Sequence, residues 1–332
     1  MIKRRAIPLI WVISIAFISV GIFISTLAIA GSLEPPASPA STMKTLDQVE
    51  PRIPIPGSST AVSEYLINES GSYYLSGDRL CSGNGIMVNA DNVTIDLMGY
   101  SLIGTNPDNA GVSMVVKKNV EIRNGTIREF GCGIYESSVG EGNRVINVRV
   151  VLNHKIGIYL QGEGHLVKGC TVWKNGDTYG STVYGILVGP ASIVSGNTVK
   201  NNGMNGGSSV VGIRAFDYSQ VTDNMIMHNG DSAGGTVYGI HTGGSCLIAN
   251  NTVNKNGYNC SNNVCGINTA SSNRITGNTV TNNGKTEDSY GYGINFSIYS
   301  FVDKNLAYGN IPADIRSNCT LCRVVDNYPS TD

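Results

Sequence analysis

Arg214 and His241 stand 27 residues apart, and Asp217 lies three residues beyond the arginine. Polysaccharide-lyase chemistry wants an arginine or lysine base beside a calcium site of several carboxylates, to which Asp217 and Asp223 near Arg214 are the nearest approach, and an imidazole can serve as a lone general base. Arg214, His241 and Asp217 are the candidate catalytic set. Tyr135, Tyr159, Asn268 and Asn295 form a candidate substrate-binding set, in which rings stack on sugar faces and amides fix hydroxyl groups. The chemistry does not extend much further. Glycoside hydrolysis needs two carboxylates at a defined separation, and the outward positions on coils adjacent to Arg214 contribute no acids. P-loop, HExxH and Ser-His-Asp nucleophile signatures are missing. No metal site is expected.

The elements that must position these residues come from a repeat. Gly-Ile recurs at Gly133, Gly157, Gly185, Gly212, Gly239, Gly266 and Gly293, the last five spaced by 27 residues. Val194, Val221, Ile248, Ile275 and Val302 make one apolar column, and Val199, Ile226, Val253, Val280 and Ala307 another. Between them run Asn197, Asn224, Asn251, Asn278 and Asn305, read as a structural ladder. Asn202-Gly203, Asn229-Gly230, Asn256-Gly257 and Asn283-Gly284 mark a bend in which glycine supplies positive φ. Short β-branched runs between Gly/Asn bends are strands, and one coil cannot bury its apolar side alone. Stacked coils can, with strands paired in parallel and like residues above like.

Alternation then sends the residue after each Gly-Ile outward, giving the column Tyr135, Tyr159, Leu187, Arg214, His241, Asn268 and Asn295. The column before each glycine (Tyr184, Val211, Tyr238, Cys265 and Tyr292) should face inward or sit at a corner. The segments Asp177 to Tyr184, Asp231 to Tyr238 and Lys285 to Tyr292 read as one family of loops.

Composition agrees with a β-rich surface that meets neutral groups. Only 14% of the 332 residues are charged, the net charge is −1 and 41 residues are glycine. There is no basic footprint for nucleic acid. Lys3, Arg4 and Arg5 precede an uncharged run from Ile7 to Ala30. Residues 1–30 read either as a signal peptide cleaved after Ala30 or as an uncleaved membrane anchor. Both readings place the rest outside the cytoplasm, with membrane contact only through the uncleaved segment. Residues 31–60 hold six of the eleven prolines and read as a linker, in which Thr45 to Val49 could make one helical turn. The repeat domain is assigned to residues 61–328. All eight cysteines follow the export segment, and the local pairs Cys260–Cys265 and Cys319–Cys322 are the expected disulfides. Cys170, flanked by strand residues, reads as a buried thiol.

The phrase Asn92-Val93-Thr94-Ile95-Asp96-Leu97-Met98-Gly99-Tyr100 is followed by coils of one form: Gly-Ile, ten residues, Asn-[Thr/Met]-[Val/Ile], two residues, Asn-Gly. This pattern resembles secreted right-handed parallel β-helix proteins with PbH1-type repeats, the pectate-lyase-like and NosD-like group. The resemblance covers roughly residues 31 to 328 and implies an all-β, single-stranded right-handed parallel β-helix of about 9–10 coils. It does not imply one activity, because such scaffolds carry many. The polygalacturonase-type hydrolase motifs are absent. The residues and the resemblance together lead to an extracytoplasmic monomer that binds polysaccharide or a cell-surface glycan, or is surface-structural, without catalysis. The alternative is a lyase or epimerase acting on the outward Gly-Ile face. No cofactor is expected, with Ca2+ required only by lyase-like chemistry.

Overall fold

A single coil shows how the sequence makes the fold. Val237–Thr242 is a strand that buries Val237, Ile240 and Thr242. The chain turns with Ser245 at φ 54° and runs through Leu247–Ala249. It bends again at Asn250 (φ 57°) into Thr252–Asn254. A last bend, with Lys255 at φ 52° and Gly257 at φ 61°, carries it on to the next rung, Val264–Thr269. That rung pairs in parallel with the first, Ile240 beside Ile267 and His241 beside Asn268.

This path recurs through the computed structural model, which describes residues 51–177, 182–204, 209–260, 262–284, 291–311, 313–316, 319 and 321–328. The product is a right-handed parallel β-helix with an 11-stranded sheet on one side and a 21-stranded sheet around the rest. Among the described residues there is no α-helix. The 11-stranded sheet carries one strand more than the upper bound of 9–10 expected coils. The Gly-Ile series is regular only from Gly185, whereas the sheet already begins at Tyr65–Ile67. The solenoid also begins before residue 61. Ile53–Ile55 pairs with the strand Gly71–Leu75, and Ser58–Val62 pairs with Arg79–Cys81. Pro54 lies within the first pairing, beside Tyr74, and Pro56 follows it; strands at the edge of a sheet tolerate proline. Residues 1–50, including the export segment and Thr45 to Val49, lie outside the described residues.

The core is a stack of aliphatic columns. Ile186, Ile213, Ile240, Ile267 and Ile294 are fully buried, as are both Val/Ile columns of the other two walls. The glycine before each isoleucine answers to this stacking. A Cβ on Gly239 would lie 2.6 Å from the Gly266 carbonyl oxygen and 2.5 Å from Val253 Cγ1. Close approach of the next coil, rather than positive φ, requires glycine there.

Asparagines close both bends of the larger sheet. Asn197, Asn224, Asn251 and Asn278 each donate from Nδ2 to the next Oδ1 at 2.9–3.0 Å, and Asn305 passes the series to Asn327. Each also donates to a backbone carbonyl, as Asn251 does to Val221 at 2.8 Å. A second ladder runs from Asn153 through Asn175, Asn202, Asn229, Asn256 and Asn283 to Asn310. The Asn-Gly bends are therefore ladders too. Buried amides are acceptable here because every coil supplies the partner of the next.

Cys319 and Cys322 form a disulfide. The expected Cys260–Cys265 bridge is not made, since Cys265 keeps a free thiol. Cys265 lies on a strand of the sheet, whereas Cys260 packs into a satellite cluster with Val210, Val237 and Val264 and donates to the Gly235 carbonyl. Cys170 is a buried free thiol at the head of the first ladder, its N–H donating to Asn197 Oδ1. Burial pushes that thiol up to about 11.

Candidate functional site

The outward face of the 11-stranded sheet carries the candidate residues in one file. Tyr135 pairs with Tyr159, Tyr159 with Leu187, Leu187 with Arg214, Arg214 with His241, His241 with Asn268 and Asn268 with Asn295. Residues separated by as many as 160 positions thus share a strip only one residue wide. The rings of Tyr135 and Tyr159 stack with centroids 5.3 Å apart. Asn295 Nδ2 donates to Asn268 Oδ1 at 2.6 Å, and Arg316 Nη1 donates to Asn295 Oδ1 at 3.1 Å. Leu187 is almost fully buried and separates the tyrosine pair from the polar half.

The column before each glycine departs from the sequence expectation. A Cβ on Gly239 would point at Val253 in the core, so Gly239 and Ile240 both face inward. This break in alternation puts Tyr238 on the outer face beside His241, with the two rings 4.6 Å apart. Tyr184 and Tyr292 occupy equivalent places and are half-buried. Tyr238, Asn263, Cys265, Asn268, Tyr292 and Asn295 help line a groove of about 270 Å³. A second cleft of about 390 Å³ lies toward the N-terminal end of the same face, beside Tyr135, Cys132 and the Lys155–Asp108 ion pair. Tyr184, Tyr238 and Tyr292 thus join the candidate residues of this face, which strict alternation misses although their recurrence two positions before isoleucine is visible in the sequence. Of the three related loops, residues 178–181 and 285–290 lie outside the described residues.

The electrostatics centre on Arg214 and His241. Burial pushes the His241 imidazole down to about 4, and the neighbouring Arg214 charge adds to the effect. It is therefore neutral at neutral pH. Burial also lowers Arg214, and its Nη1 is buried without a hydrogen-bond partner. The guanidinium carbon sits 4.6 Å from the centre of the Phe216 ring. Asp217 does not complete the group. Its Oδ1 accepts the Gly244 N–H at 2.8 Å, which fixes the bend after the strand, and it forms no ion pair with Arg214. Arg214 and His241 are brought together, and Asp217 serves the bend beside them. Among the described residues, no three His, Cys, Asp or Glu side chains are placed to hold a metal ion.

A strip of this kind can stack on sugar rings, hydrogen-bond hydroxyls and offer one unsatisfied cation to an anion. These features define a right-handed parallel β-helix with a polar and aromatic sheet face. Among solved structures, the chain is similar to the A-module of the mannuronan C-5 epimerase AlgE6 from Azotobacter vinelandii. The identity is 12%, with 84% of this chain and 91% of that one covered and a TM-score of 0.50. The A-module of AlgE4 from the same organism gives 14% identity, coverage of 77% and 91%, and a TM-score of 0.46. The Dettilon tailspike protein gives 16% identity, coverage of 77% and 47%, and a TM-score of 0.39. At these identities the likeness is one of fold. No protein-family model and no curated protein matches the sequence.

Proposed function

We propose that the protein is an exported, monomeric β-helix that binds a polysaccharide or cell-surface glycan along the Tyr135–Asn295 strip without catalysis. The observation that carries this reading is Arg214: a half-buried cation, with one nitrogen unpartnered, set in a ring-lined face. Among the described residues the guanidinium has no carboxylate partner, and an anionic group on a bound chain would supply a charge-assisted one. The preferred ligand is therefore a glycan bearing carboxylates. The fold is shared with an epimerase module for mannuronan, which supports a polysaccharide as the class of partner. Export is supported by the basic residues Lys3 to Arg5 before the apolar run from Ile7 to Ala30, and by the Cys319–Cys322 disulfide. The apolar run leaves either a cleaved leader or an anchor on the outer face of the membrane.

A second reading rests on one further observation, the neutral His241 ring against Tyr238 beside Arg214. An acid–base pair next to a carboxylate-binding arginine is what a lyase or epimerase requires. Calcium belongs to this reading alone. Asp217 and Asp223 are the acids closest in sequence to Arg214, and one oxygen of Asp217 is committed to Gly244.

Binding to polygalacturonate, alginate and a neutral dextran, followed for unsaturated products, new reducing ends and changed C5 configuration, separates the two. The expected result is retention of the acidic chains with no chemical change, weakened about tenfold or more by Arg214→Ala and also reduced by Tyr159→Ala. Turnover that vanishes with Arg214→Ala or His241→Ala would instead establish the enzyme.

A further inference from the structure

Trp173 ends the strand Thr171–Trp173 in the 21-stranded sheet and lies in register with Lys200 on the next coil. Two ammonium groups converge on its ring, Lys174 Nζ at 4.9 Å from the centroid and Lys200 Nζ at 5.4 Å. The ring quadrupole attracts each cation, but the two cations repel one another. Among the described residues neither has a carboxylate within ion-pair distance. The nearby acid, Asp177, is engaged by His154 at 3.0 Å.

Beside these groups lies a cleft of about 360 Å³, lined in part by Leu152, Lys174, Gly176, Asp177, Asn201 and Met204. Its floor follows the left-handed bend, where Leu152, Lys174 and Asn201 have φ of 58°, 54° and 55° on successive coils. Left-handed backbone throws these side chains out of the wall, and Leu152 stays 42% exposed. The cleft thus combines an exposed aliphatic side chain, an amide and the Lys174 ammonium, with Asp177 on its wall held by His154, and Lys174 joins it to the Trp173 ring and Lys200 alongside.

We propose that this cleft is a second saccharide site, separate from the Arg214–His241 strip, and that it takes sugars bearing a carboxylate or a sulfate group. Leu152 and the edge of Trp173 meet the C–H face of a sugar ring. Lys174 and Lys200 share its anionic group, which relieves their mutual repulsion, and Asn201 is placed to bond a hydroxyl. The strip carries rings and one arginine on the 11-stranded sheet, whereas this cleft belongs to a bend of the larger sheet, so each site can be emptied without touching the other.

The chain contains two tryptophans, Trp11 and Trp173. In the full chain carrying Trp11→Phe, emission therefore reports on this cleft and not on the strip. The probes are a hexamer of galacturonate, a heparin hexasaccharide, maltohexaose and sodium sulfate. The expected result is a saturable change in Trp173 emission with one or both acidic hexamers, at an affinity at least about tenfold above that for maltohexaose or free sulfate. Which acidic hexamer acts identifies carboxylate or sulfate as the recognised group. Lys174→Gln with Lys200→Gln should weaken that response about tenfold or more, while Arg214→Ala leaves it unchanged. Equal response to maltohexaose or free sulfate, silence with both acidic hexamers, full affinity in the double variant, or loss with Arg214→Ala would each overturn the proposal. Unchanged thermal melting of the double variant excludes misfolding as the cause.

Discussion

His241 sits between Arg214 and Asn268 on the neighbouring strands and against the Tyr238 ring. Its imidazole is held near 4, against about 6.5 for a free histidine. Between those values the unfolded chain takes up a proton that the folded chain refuses. The stabilisation is therefore complete above about pH 6.5 and is lost as the pH falls toward 4. With a discount for solvent on the open side of the strip, it amounts to about 2 kcal/mol. An NMR titration should place the His241 midpoint well below 6, and Arg214→Gln should raise it by removing the neighbouring charge. Comparing urea unfolding of the wild type and His241→Asn from pH 7.5 to 4 should show a steeper loss for the wild type. Parallel curves would mean that the imidazole is open to water. The Arg214–His241 pairing was legible from their 27-residue separation, because one full coil returns the chain to the same column. The role of Asp217 was not. Its place in the bend depends on a hydrogen bond to Gly244, one coil further along the chain, which proximity in sequence does not reveal.

At the scale of the coil, each element is stable only because its neighbours complete it, so damage at a middle rung should exceed damage at an end. Asn251 gives its amide to Asn278 Oδ1 and the Val221 carbonyl, and its Oδ1 receives both the N–H and the amide of Asn224. Asn251→Ala leaves several of these groups buried without partners. A loss of about 3 kcal/mol is expected by urea unfolding. Asn305→Ala, whose partner Asn327 is only partly buried, should lose less. Equal losses at the two positions would contradict a ladder that works as a unit. The aliphatic columns and the first ladder could be read in advance because stacking turns a spatial column into a fixed sequence period. The second ladder was half-read, as bends, since the glycine that follows each asparagine drew attention to φ rather than to the buried amide. The outward tyrosines were misplaced for a different reason. Strict alternation assumes a regular strand, and the glycine before each isoleucine breaks it so that the carbonyl of the next coil can approach.

The whole molecule turns these local rules into one long file of outward side chains along the 11-stranded sheet. From Tyr135 to Asn295 the strip crosses six strand-to-strand steps, or about 29 Å at the usual spacing between paired strands. A rigid sheet adds little ordering cost at its own side of the contact, so successive sugars should add to affinity until the oligosaccharide is as long as the strip. Calorimetry with acidic oligosaccharides of increasing length should show affinity rising and then levelling. Arg214→Ala should weaken every length that reaches the polar half. Tyr159→Ala should matter only for chains long enough to pass Leu187, because Tyr159 and Arg214 are separated by two of those steps. A disaccharide that binds as tightly as the longest chain would sink the extended-strip reading and confine recognition to the Arg214–His241 rungs. Tyr159→Ala then separates two architectures of recognition: its effect depends on ligand length if the stacked tyrosines extend the binding strip, and is absent at every length if they only pack the N-terminal half of the sheet.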